Sequence, residues 1–202
     1  MKLRVFALLV ATLALWASST LAQDGSIDIV FDAAGATCSG DITPPVPATL
    51  YIIARLGGQT VDGITGAEFS ISGFPAGWFA ISTPVPANSI PLGDPFIAAG
   101  DTTGGANIAF PCVTDPGTGF VTLYSVNVIP TVPVTDTFLI VGGKLPPTNP
   151  LFTCQLVNLC DDPQFTKVCV LGGQAFINPT GPACEVAVAE RTWGEIKNLY
   201  AH

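Results

Sequence analysis

Charge is scarce in this 202-residue chain, and positive charge is scarcest of all. Only 11% of the residues are Asp, Glu, Lys or Arg, less than half the usual quarter. Seven are basic, fifteen are acidic, and a single histidine stands at position 202. With so few cations, the footprint that a nucleic acid requires cannot be assembled, and anionic membrane surfaces are disfavoured for the same reason. Ser–His–Asp and Cys–His catalysis need an oriented imidazole beside the nucleophile. His202 is terminal, where order is least expected, so both mechanisms are set aside. No GxGxxG or P-loop run occurs; Gly57-Gly58 and Gly104-Gly105 lack the helix that follows such motifs. No helical pattern of ten to fifteen residues alternates with strand-like runs, which argues against a parallel βαβ sheet.

Apolar residues and turn formers are abundant: 49% of the chain is hydrophobic, with 21 Gly and 18 Pro. Such a chain is too apolar to be disordered and too turn-rich for a helix bundle. Part of the bias is local to the N-terminus. Lys2 and Arg4 precede an apolar run from Val5 to Trp16, and small residues follow up to Ala22. The pattern predicts a secretory signal over residues 1–22, too short and wrongly flanked for a spanning helix. No later stretch in the mature chain is long and apolar enough to cross a bilayer. Removing the signal leaves five basic residues against fifteen acidic ones, a net charge of −10 in place of −8. The expected compartment is extracellular, cell-surface or periplasmic.

Six cysteines, Cys38, Cys112, Cys154, Cys160, Cys169 and Cys184, fall in the mature chain. An even count in an exported protein reads as disulfides, and six cysteines allow 15 pairings. Crowding of four of them between residues 154 and 184 predicts Cys160–Cys169 and Cys154–Cys184, leaving Cys38–Cys112. The C-x5-C and C-x8-C spacings do not match zinc knuckles.

Short apolar runs bounded by Gly, Pro, Asn and Asp place strands at residues 26–31, 49–56, 67–74, 78–82, 106–110, 119–128, 137–141, 152–156, 166–171 and 174–178. Many short strands separated by turn signals predict an all-β fold, an antiparallel β-sandwich of immunoglobulin- or cohesin-like type. One domain over residues 23–189 is long enough to bury a full core. Alternation along Glu68-Phe69-Ser70-Ile71-Ser72 puts Phe69 and Ile71 on one face and predicts that Glu68 lies on a solvated polar face. The run Phe138-Leu139-Ile140-Val141 is apolar on both faces and predicts a strand covered on both sides.

Residues 190–202 change character. Thr192 and Glu195 make a capping box, and Trp193, Ile196, Leu199 and Tyr200 fall on one face of a short helix. Such a helix is marginal alone and must dock, either on its own domain or on a partner. These four residues are the candidate partner-binding set. No catalytic or cofactor-binding residue is assigned. Calcium is the one cofactor considered, through loop carboxylates at Asp94, Asp101, Asp161 and Asp162, although no EF-hand run is present. Phe74, Trp78 and Phe79, together with Tyr51 and Tyr124, could form a sugar-stacking platform if exposed.

The run from Ile64 to Trp78, ITGAEFSISGFPAGW, resembles a segment of uncharacterised secreted bacterial β-sandwich proteins. Those proteins also carry an Asn-Ile-Ala-Phe-Pro-like stretch (here residues 107–111), a Cys-rich C-terminal third and a T-W-x-x-I-K-x-L-Y-like ending (here residues 192–200). The resemblance covers most of the mature chain and implies no activity and no catalytic residues. The strand at residues 67–74 is also similar to strands of cohesin-like sandwiches. The six cysteines and the terminal helix depart from that pattern, so dockerin binding is not carried over. The function expected is a non-catalytic exported module with a protein or polysaccharide partner, for binding or surface assembly. The alternatives are a carbohydrate-binding module and a glycoside hydrolase using two carboxylates, with Glu68 as the test residue.

Overall fold

Inward-facing Ile, Leu, Val and Phe at every second position turn successive strands into half-buried ribbons that must pack face to face. A computed structural model describes residues 25–181 except 99 and 162; the expected signal segment, Cys184 and the C-terminal helix lie outside the described residues. The strands are β1 (Ser26–Val30), β2 (Ser39–Gly40), β3 (Ala48–Arg55), β4 (Ile64–Ser72), β5 (Phe79–Pro84), β6 (Ile90–Leu92), β7 (Ala106–Val113), β8 (Phe120–Ile129), β9 (Thr137–Gly142), β10 (Leu156–Leu159), β11 (Lys167–Cys169), β12 (Leu171–Gly172) and β13 (Gln174–Ile177). One sheet has the order β12-β1-β3-β8-β5. The other runs β11-β10-β4-β9-β13-β2, with β7 on the opposite side of β4 and β6 beyond it. The protein is an all-β, two-sheet sandwich. Pairing is antiparallel except between β1 and β12 and between β13 and β2.

The core lies between the sheets. Ile27, Ile29, Leu50, Ile52 and Val126 from one side meet Ile64, Phe69, Ile71, Ile108, Leu139 and Ile177 from the other, all buried. A register shift between β3 and β8 leaves both Leu123 and Tyr124 facing inward, as a bulge does. The Tyr124 ring meets Phe69 edge-on at 6.2 Å. Its hydroxyl is buried without a hydrogen-bond partner among the described residues. Burial, with the Asp94 carboxylate adding to it, pushes that hydroxyl up to about 12. Between pH 10 and 12 the folded chain therefore holds a proton that the unfolded chain releases, and stability falls as pH rises through that window. Tyr124→Phe should abolish that alkaline loss and stabilise by about 1 kcal/mol at neutral pH, since an unpaired buried hydroxyl disappears. Thermal melts at pH 7 and pH 11 check both.

Two short strands, β2 and β6, are absent from the sequence-derived set, and the strand expected at residues 152–156 begins only at Leu156. Residues 166–171 are split: β11 stays in the second sheet, while β12 joins β1 in the first. The chain then crosses back at Gly173, where its N–H donates to Ile27 O (2.9 Å) and its carbonyl accepts from Val141 N–H (3.0 Å). The Gly172-Gly173 pair is thus the seam between the two sheets.

The expected disulfide pairing is overturned. The bonds are Cys112–Cys160 and Cys154–Cys169. In the β10–β11 hairpin, Cys169 stands opposite Leu156, so Cys160 sits about four residues, or roughly 13 Å, further along, too far for a bond. Strand β4 lies between β7 and β10, which leaves Cys112 and Cys160 straddling its start. Cys38 adjoins β2, four strands from β7, about 19 Å away; it is disulfide-bonded, but not to Cys112.

Candidate functional site

The catalytic and metal readings rest on carboxylates. Glu68 is 4% exposed, against the expectation of a solvated face. Its Oε1 accepts the Thr148 backbone N–H at 2.9 Å and its Oε2 accepts Asn107 Nδ2 at 3.1 Å. Ser70, on the same face, donates to Gly143 O at 2.8 Å. The connection between β9 and β10 is a strap laid over the outside of β4, and Glu68 pins it. The alternation located the two faces; it carried no information on what covers the outer one.

The loop aspartates serve as staples. Asp32 accepts the N–H groups of Ala34, Ala36 and Thr37, and Asp115 those of Gly117, Thr118 and Gly119. Asp136 holds Thr180, Asp161 holds Thr166, and Asp94 accepts the Phe96 N–H. These bonds favour the charged form: Thr37 above all lowers Asp32, the Gly119 N–H Asp115, the Thr180 N–H Asp136 and the Thr166 hydroxyl Asp161. Such turns are the ordinary use of aspartate in loops. Of the calcium candidates, Asp94 and Asp161 are engaged in this way, and Asp162 lies outside the described residues. Among the described residues no group of three or more His, Cys, Asp or Glu could hold a metal ion.

Trp78 is buried, its Nε1–H donates to Val132 O at 2.7 Å and its ring meets Phe74 edge-on. Phe74 and Tyr124 are buried as well, as core aromatics of a sandwich ordinarily are, and the rings left for a stacking platform reduce to Phe79 and the half-buried Tyr51. Phe79 is 62% exposed and Ile81 58%; Ile129 stands opposite Phe79 on β8. The outward residues of β5 and of its β8 partners Ser125, Asn127 and Ile129 include no charge.

A groove of about 570 Å³ opens on the second sheet, lined by Thr65, Phe110, Pro111, Asn158, Cys160 and Phe165 among others. Phe165 holds a left-handed backbone (φ 47°), a conformation costly for a bulky residue, and the Asp161–Thr166 staple fixes the turn that carries it. Neither the groove nor Phe165 is marked by a sequence motif; its walls come from β4, β7, β10 and the turn before β11, and only the fold brings them together. A third apolar surface, around Phe138 and Ile140, lies on the outer face of β9. The candidate partner-binding residues Trp193, Ile196, Leu199 and Tyr200 lie outside the described residues. No helix among the described residues is long and apolar enough to cross a membrane.

The sequence matches no protein-family model and no curated protein. Among solved structures the chain is similar to a cohesin module from a family 33 glycoside hydrolase of Clostridium perfringens, at a TM-score of 0.46 and 13% identity over 78% of this chain and 98% of that one.

Proposed function

We propose that the chain is an exported, non-catalytic module that binds a protein partner through the outer face of β5 and β8. The observation that carries this reading is the exposure of Phe79 and Ile81 on an uncharged sheet face of a chain with net charge −8. An acidic protein repels other acidic surfaces, and an uncharged apolar face rimmed by polar residues is where contact costs least. Export is supported by the N-terminal pattern and by the disulfides. The non-catalytic reading is supported by the use of Glu68 as a strap anchor, both of its carboxylate oxygens being taken up by Thr148 and Asn107.

Mature protein added to surface material of the cells that make it should be retained. Phe79→Ser with Ile81→Ser should reduce that retention about tenfold, while the melting temperature moves by no more than about 2 °C, as for exposed substitutions. Equal retention of the double variant would remove this face from the function. A polysaccharide reading is favoured by one observation, the exposed Phe165 ring beside Thr65 and Asn158 in the groove. Affinity electrophoresis over a polysaccharide panel, with Phe165→Ala as control, separates the two. Under either reading Glu68→Gln leaves function intact, whereas a glycoside hydrolase would lose turnover.

A further inference from the structure

The strand β9 was expected to be covered on both faces. Its inner residues Leu139 and Val141 are buried, yet Phe138 is 46% exposed and Ile140 43%. Phe138 stacks edge-on against Phe176 of β13 at 4.7 Å. Their neighbours in register on this face, Ser39, Ser72 and Gln174, are uncharged. The chain leaves the described fold at this same place. Asp136, just before β9, holds the Thr180 N–H at 2.7 Å. Cys38 lies beside β13, its carbonyl accepting the Phe176 N–H at 2.9 Å. Cys38 is disulfide-bonded, and Cys112, Cys154, Cys160 and Cys169 are paired with one another. The sequence leaves Cys184 as its partner.

We propose that a Cys38–Cys184 bond roots the C-terminal segment at the edge of the second sheet and that residues 192–200 lie as a helix over Phe138, Ile140 and Phe176. The lengths agree. From Cys184 to Thr192 the chain reaches up to about 28 Å, while β2 to β9 is two strand spacings, about 10 Å. A nine-residue helix is about 13 Å long, enough to cross all three strands. The chemistry agrees as well: Trp193, Ile196, Leu199 and Tyr200 make one apolar face, which meets an uncharged apolar surface. A helix this short needs such a surface in order to form. The proposal is independent of the partner face on β5, which lies in the other sheet.

Hydrogen exchange of the mature, oxidised protein tests it. Amides of residues 195–200 should exchange at least tenfold more slowly than in the free peptide. Phe138→Ser with Ile140→Ser should return them to the free-peptide rate while leaving β3 and β8 protected. Trp193→Ser with Ile196→Ser, which alters no residue of the sandwich, should give the same loss. Free-peptide exchange in the unsubstituted protein would overturn the proposal, as would protection that survives the Phe138/Ile140 substitutions. A peptide map linking Cys38 to any cysteine other than Cys184 would overturn it too.

Discussion

Replacing Cys112 and Cys160 together by serine should cost about 4 kcal/mol, the chain-entropy value for a loop of 48 residues. For a domain of this size that is a fall in melting temperature of about 8–16 °C. The position of the bond adds to the argument. Cys160 N–H donates to Gly63 O, and Cys112 and Cys160 hold β7 and β10 at the start of β4. Without the bond, β10 and β11 remain attached at that end of the sheet by ladder hydrogen bonds and by the core packing of Val157, Leu159 and Val168. The Cys154–Cys169 bond closes a loop of 15 residues, and its removal should cost less, about 3 kcal/mol. Calorimetry of both double variants gives the order; an equal or reversed order would show that β10 is anchored by packing rather than by the longer bridge.

Gly172→Ala should be nearly as damaging, at about 3 kcal/mol or about 6–12 °C. A Cβ there would fall on the Val141 carbonyl oxygen, well inside van der Waals contact. The neighbouring atom is backbone, so no side-chain rotation relieves the clash. At Gly173 a Cβ would fall on the Asp28 carboxylate and lie 3.1 Å from the Asp28 Cα. That carboxylate is itself fixed by Arg55 Nε at 2.6 Å. Gly181, where an added Cβ would meet no atom of the described residues within 4 Å, is the matched control, and Gly181→Ala should change stability by less than about 0.5 kcal/mol. A mild effect at Gly172 would mean that the two sheets can part at the seam without cost.

Much of the fold was legible in the residues, because periodicity reports which side chains share a face. Phe69 and Ile71 point inward as the alternation requires. What the pattern cannot carry is the neighbour. Glu68 reads as solvated until the strap at Thr148 crosses it, and Phe138 and Ile140 read as covered although the described residues leave them open. Pairing of the cysteines fails for the same reason, since it depends on β4 lying between β7 and β10 and not on spacing along the chain. The strands β2 and β6, of two and three residues, are too short to repeat the two-residue alternation that announces a strand. The groove beside Phe165 was illegible because its walls are a hundred residues apart in sequence.

The seam at residues 171–173 also sets a timetable. The first strand among the described residues, β1, takes its outer partner from β12, and β9 takes its own from β13. Both sheets therefore stay open along one side until almost the whole chain is present, and non-local pairing of this kind is slow to form. A chain emerging N-terminus first, whether from a ribosome or through a narrow pore, cannot close this sandwich midway. Pairing along β1 and β9 is completed only when residues 171–177 arrive.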